Sequence, residues 1–129
     1  MTTPFTHRNL AEIHDSAPTF GYAEIQEARF ASSDLEAHDT GVSYHRLKPN
    51  RRSAFAHKHE EAEEVYVVLA GAGRLKLDDE ILEIRPLDAI RVAPRVIRAF
   101  EAGSDGLEFL AFGPRREGDG ELLHGWWNE

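Results

Sequence analysis

The sequence predicts an all-β domain, and three observations carry that prediction. Short apolar segments punctuated by Gly, Pro, Asn and Asp recur along the 129-residue chain at about the 8–12 residue spacing of sandwiches and barrels. Stretches with helical period are few and short. The length is that of one domain, enough to bury a core without disulfides or a structural metal.

The elements follow in chain order. Residues 1–20 form an N-terminal arm with one short helix, 9–14, where Asn9 caps and Glu12 reaches back in the manner of a capping box. The barrel proper spans 21–113, with strands near 23–30, 42–47, 54–59, 64–70, 73–77, 80–84, 89–92, 97–100 and 107–112. Gly71 and Gly73 supply a tight bend between two consecutive strands. Asp78-Asp79 reads as a hairpin turn between Leu75-x-Leu77 and Ile81-Leu82, which leaves Arg74, Lys76 and Asp78 on a solvated face. Residues 114–129 are a tail. Its charged start, 115–119, is expected to be mobile, whereas Leu122, Leu123, Trp126 and Trp127 form an apolar terminus that is costly to leave in water. Packing on the outside of the barrel, packing on a partner and closing the barrel mouth as a lid are the three ways to cover it.

Composition narrows the function classes. The absence of cysteine removes disulfides, thiolate zinc sites and thiol nucleophiles, and agrees with a cytoplasmic protein. The longest apolar run, Val65 to Ala70, is far too short to span a bilayer, and no apolar leader precedes the first strand. A formal net charge of −8 argues against nucleic acid as a partner, because phosphate contacts need clustered Lys and Arg. The pairs Arg51-Arg52 and Arg115-Arg116 are short and separate, as exposed loop charges are.

The segment His57 to Gly73, HKHEEAEEVYVVLAGAG, carries the chemistry. His57 and His59 are two apart, so on a strand both imidazoles emerge on one face. Glu64 opens the next strand, and a chain reversal between them returns its carboxylate beside the histidines. Two neutral imidazoles and one carboxylate suit a divalent transition metal, Fe, Mn, Ni or Zn, and leave coordination positions open. Tyr66 shares the parity of Glu64 and faces inward, either as a core filler with a satisfied hydroxyl or as an acid at the site. His45, on the preceding strand, is either a further polar group of the cavity or a residue behind it. Glu60, Glu61 and Glu63 read as a solvated turn that also lowers the local potential.

His-x-His, four residues, Glu, six residues and Gly, matched from His57 to Gly71, resembles the first motif of the cupin superfamily. The resemblance implies a jelly-roll barrel, the double-stranded β-helix, with His57, His59 and Glu64 as metal ligands, and excludes Glu63, which has the wrong spacing and parity. It also implies a homodimer exchanging N-terminal segments and a small-molecule ligand. The second motif departs from the family pattern. Asp88 and the strand 89–92 are in place, but Leu87 stands for the first glycine, Ala93-Pro94-Arg95 for Pro-x-Gly, and Arg98 for the histidine that supplies a fourth ligand. A guanidinium has no lone pair for a metal. Arg98 is then a fixed cation beside a three-ligand metal, holding an anionic group of the ligand; or it pairs with Glu64 in a metal-free pocket for a sugar or organic acid; or it points outward. The first reading allows a dioxygenase, an isomerase or a related enzyme, and the second a binding module.

Overall fold

The computed structural model describes residues 4–128 and is built almost wholly of strands. They are β1 (Gln26–Phe30), β2 (Thr40–Leu47), β3 (Ala56–His59), β4 (Glu64–Leu77), β5 (Glu80–Ile84), β6 (Ala89–Val92), β7 (Arg98–Pro114) and β8 (Gly120–Leu123). Every pairing is antiparallel. One path through the sheet runs β1-β2-β7-β3-β8, and β4 pairs with β5, β6 and β7. The long ladder between β4 and β7, from Val65 opposite Phe112 to Leu77 opposite Arg98, is the spine on which the sheet curls into a barrel.

That spine differs from the sequence reading. Segments 64–70 and 73–77 are one strand, as are 97–100 and 107–112, because the chain bulges within the ladder where separate strands joined by a bend were expected. The irregularities lie between Val68 and Ala70 and between Gly71 and Gly73. Each inserted residue shifts the side-chain alternation. Tyr66 and Val68 therefore face inward on one side of the bulges and Leu75 on the other, all three buried. Glycine is required at both corners. A Cβ at Gly71, where φ is +76°, would lie 2.0 Å from the Gly106 carbonyl oxygen, and one at Gly73 would lie 2.0 Å from that of Glu101.

Tyr66, Val68, Leu75, Phe100, Leu107 and Phe109 anchor the main core inside the barrel. The Asp78-Asp79 turn joins β4 to β5 with Leu77 opposite Glu80, as its residues predict. The helix expected at 9–14 is a single 3-10 turn, Leu10–Glu12, capped by Asn9, whose side chain accepts from the Ala11 amide at 2.8 Å.

Residues 120–123, read as part of a tail, form strand β8 against β3. Beyond it the chain folds over the outside of the barrel, where Trp127, 8% exposed, packs with Ala56 and Ala99. The Arg74 and Lys76 face expected in solvent is instead roofed by indole. Lys76 Nζ sits 4.5 Å from the Trp126 ring centre, and the Arg52 and Arg74 guanidiniums lie 4.7 and 5.3 Å from that of Trp127. Arg52 is likewise no loose loop charge, since its Nε donates to Glu101 at 2.6 Å. Among the described residues no helix is long and apolar enough to cross a membrane.

Candidate metal centre

Strand β3 delivers His57 and His59 to the cavity, and the turn 60–63 brings Glu64 back beside them. Asp119 ties that turn. Its Oδ1 accepts from the Glu61 amide at 3.0 Å and its Oδ2 from the Ala62 amide at 2.9 Å. Arg98 opens β7 directly opposite His57. Its side chain points inward and is fully buried.

Four side chains converge on one oxygen. Glu64 Oε1 accepts from the Tyr66 hydroxyl at 2.6 Å and from Arg98 Nη1 at 2.9 Å, with His57 Nε2 and His59 Nε2 each 3.2 Å away. A carboxylate oxygen has about two lone pairs to offer, so the site holds more polar atoms than Oε1 can satisfy. Burial alone would raise the pKa of Glu64, but the hydrogen bonds with His57 and Tyr66 and the close approach of the His59 imidazole outweigh it and hold the carboxyl well below its usual range. Tyr66 moves the other way. Burial and the Glu64 charge raise its hydroxyl pKa well above the ordinary value against the opposing effect of Arg98, so it stays a donor.

The three sequence-predicted ligands therefore meet. His57, His59 and Glu64 offer ligand atoms that all lie within 4.8 Å of one another. Two ligands on bonds of about 2.1 Å to one ion stand about 3.0–3.4 Å apart, and the 3.2 Å separations from Oε1 match that spacing. His59 Nε2 is buried without an aligned hydrogen bond. A lone pair in that state is available to an ion, and the donor set fits a divalent transition metal. His59 Nδ1, on the far side of the ring, lies 3.3 Å from Asp119 Oδ2, off the line of a hydrogen bond.

The other predicted residues divide. Arg98 borders the cavity behind Glu64, but its guanidinium is turned to protein acceptors, with Nη1 on Glu64 and Nη2 donating to the Ala93 and Pro94 carbonyls at 2.8 and 3.3 Å. His45 does line the cavity, with Nε2 2.8 Å from Ser43 Oγ. Burial is the main cause of its pKa falling to about 4; the nearby His57 adds to the effect and Glu64 opposes it, so the ring is neutral. Glu63 is outside and meets Arg91 at 3.4 Å, while Glu60 and Glu61 meet Arg95 and Arg116 at 3.2 and 3.1 Å. The acidic turn is thus matched by arginines one for one.

Asp119 and the aromatic lining escaped the sequence reading. Asp119 sits in Gly118-Asp119-Gly120, a pattern that signals a turn and nothing about its partners. The cavity, about 360 Å³, opens between β1, β2 and the segment around Phe55.

A curled antiparallel sheet carrying two histidines and a glutamate on its inner wall defines a jelly-roll protein of the double-stranded β-helix type. The chain belongs to the cupin domain family, whose model matches residues 43–112. An uncharacterised protein of Methanocaldococcus jannaschii is 34% identical over 80 residues, 60% of this chain and 64% of that one. Under two thirds of that relative's length is thus spanned. A cupin protein of Bacteroides fragilis superposes with a TM-score of 0.70 at 23% identity, covering 91% of this chain and 89% of that one. The polyketide cyclase RemF of Streptomyces resistomycificus superposes with a TM-score of 0.74 at 20% identity, covering 96% and 87%. At these identities the likeness is one of fold.

Proposed function

We propose that this cupin holds a divalent transition metal on His57, His59 and Glu64 and receives a small oxygen-bearing molecule in the cavity above them. The carrying observation is the pair of 3.2 Å separations between Glu64 Oε1 and the two Nε2 atoms, with His59 Nε2 buried and lacking an aligned partner. When bound, such an ion supplies Lewis acidity toward an oxygen of the ligand. The chain's own residues do the rest. Arg98 and Tyr66 donate to the glutamate from behind and beside it, which fixes its carboxylate and keeps it ionised. Asp119 holds the turn that sets Glu64 against His59.

A second reading rests on the 2.9 Å contact of Arg98 with Glu64. In it the guanidinium satisfies the carboxylate, opposes a divalent ion, and leaves a metal-free binding module. Metal analysis of protein purified without a nickel column, beside Glu64→Ala, separates the two. The metal reading expects near-stoichiometric metal in the parent and little in the variant. A metal-free parent that binds zinc only as Arg98→His supports the module.

A further inference from the structure

We infer that the cavity is built for a planar aromatic molecule without net charge, mono- or bicyclic, that enters ring-first along a row of aromatic side chains and presents an oxygen to the floor at Glu64. This rests on the proposed function in that the same cavity is the ligand site, and it names the ligand's class. One wall is a continuous row of rings. Phe30, at the mouth and 58% exposed, meets His45 edge-on with centroids 5.7 Å apart. His45 stacks on Phe109 at 5.0 Å and 15°, and Phe109 on Phe100 at 4.0 Å and 21°. Phe100 meets Tyr66 edge-on at 5.0 Å, and Tyr66 is the residue that donates to Glu64. The row thus leads from solvent to the polar floor. Aromatic rings recognise another flat ring by quadrupole and dispersion in offset or edge-on contact, beyond the burial of area.

Charge selects against the alternatives. Two guanidiniums border the cavity. Arg98 is 0% exposed with Nη1 on Glu64 and Nη2 on two carbonyls, and Arg46 faces Glu27 at 3.6 Å. Arg98 is thus committed to protein acceptors, so the anionic ligand predicted from it loses its partner, and Arg46, at 46% exposure, is a half-solvated charge beside Glu27. A sugar, with a hydroxyl on nearly every carbon, would leave some of them against the aromatic row, which offers them no acceptor. The volume, about 360 Å³, lies near the small end of the range of ligand pockets, about 300–1,000 Å³.

Calorimetric titration of the full chain tests this with three probes: 2-naphthol, its saturated counterpart decahydro-2-naphthol, and glucose 6-phosphate, each in chelator and again with zinc. The expected result is 2-naphthol binding about tenfold tighter than the saturated alcohol and no binding of the sugar phosphate. Phe30→Ala, a change at an exposed position that leaves the core intact, should weaken 2-naphthol several-fold and leave decahydro-2-naphthol less affected. Equal affinity of the two alcohols, tighter binding of glucose 6-phosphate, or no heat from 2-naphthol up to its solubility limit overturns the inference. Binding in chelator does not depend on the metal, so failure of the metal site leaves this outcome readable, and the zinc titration remains readable if the aromatic probes fail.

Discussion

Two arginine–glutamate arrangements sit on opposite faces of this barrel wall, and they solve different problems. Outside, Glu101 spreads its load: Oε2 takes Arg52 Nε at 2.6 Å, Oε1 takes Arg74 Nε at 2.8 Å, and Trp127 lies against both guanidiniums. Inside, Arg98, Tyr66, His57 and His59 crowd a single oxygen of Glu64. The outer cluster is balanced and partly wet, so it behaves as a fastener for the C-terminal segment. The inner one has its guanidinium and phenol fully buried and is over-supplied with polar atoms, an arrangement that an added cation on the histidines would relieve. Charge pairing in the first closes a structure; in the second it leaves a site open.

The largest expected effect comes from breaking the inner pair on one side. Glu64→Ala strands the fully buried Arg98 charge, and the penalty for an uncompensated buried ion is about 3–5 kcal/mol. Urea unfolding with chelator present should show that loss. The double change Glu64→Met with Arg98→Met should recover most of it, because it removes both charges. A loss below about 1 kcal/mol would mean that the carbonyls of Ala93 and Pro94 alone hold the guanidinium, and the inner pair would then resemble the outer one.

How far the sequence disclosed these two regions follows from the range of the interactions. His57, His59, Glu64 and Tyr66 were legible because strand parity and a chain reversal are local rules. The strands 80–84 and 89–92 were legible for the same reason. The bulges that fuse 64–77 and 98–114 into two long strands were not, since they arise from the approach of Gly71 to Gly106 and Gly73 to Glu101 across the barrel. Arg98 was visible as a departure, but its direction depended on a turn without the family's glycines. Leu87, in the place of a glycine, holds φ at 74° and lies 86% exposed, a conformation that costs an L-residue about 1–2 kcal/mol. The roof of Trp126 and Trp127 over Arg52, Arg74 and Lys76 joins residues some 50 positions or more apart, beyond any window on the sequence.

The next effect is acid sensitivity of the inner wall at His45. Its pKa is about 4 folded against 6.5 for the free side chain, so between these values the unfolded chain binds the extra proton. Stability then rises with pH. The contribution is fully present above about pH 6.5 and falls away toward pH 4, by about 3 kcal/mol in all. Chemical denaturation across pH 7 to 4 should show this slope in the parent and a flatter one in His45→Gln, which keeps a hydrogen-bonding group for Ser43. An unchanged slope in the variant would assign the acid sensitivity elsewhere. Glu64 and Glu101, both with depressed pKa, lose their contributions at lower pH, as pH falls through their folded values.

A smaller effect concerns how the inner site is oriented. Asp119 holds the 60–63 turn through the Glu61 and Ala62 amides and lies 3.3 Å from His59 Nδ1, leaving Nε2 toward Glu64, and residues that orient a ligating imidazole from behind are worth about 10–100-fold in metal affinity. Asp119→Asn should weaken zinc by about tenfold in competition with a chromophoric chelator. Nitrogen-detected NMR of the imidazoles should show a change at His59 larger than that at His57. Equal changes at both rings would indicate a general loosening of the 60–63 turn.

The smallest effect belongs to the outer cluster and completes the contrast. Glu101→Gln keeps the shape of the side chain and one acceptor, so one arginine retains a partner while the other faces an amide. Arg52 and Arg74 are about one third exposed, and pairs in that setting contribute about 0–1 kcal/mol. The variant should lose no more than about 1 kcal/mol. Most of that loss should vanish at about 1 M salt, where the screening length is about 3 Å. The loss in Glu64→Ala should persist in the same salt, because no ions reach the fully buried guanidinium of Arg98. In a Trp126→Phe background, Trp127 fluorescence reports the outer site and should stay near its parental maximum, since apolar packing on Ala56 and Ala99 holds the indole as well as the guanidiniums do. A salt-insensitive loss of several kcal/mol in Glu101→Gln would instead make the outer guanidiniums as shielded as that of Arg98, and crowding on a single oxygen would be all that distinguishes the site.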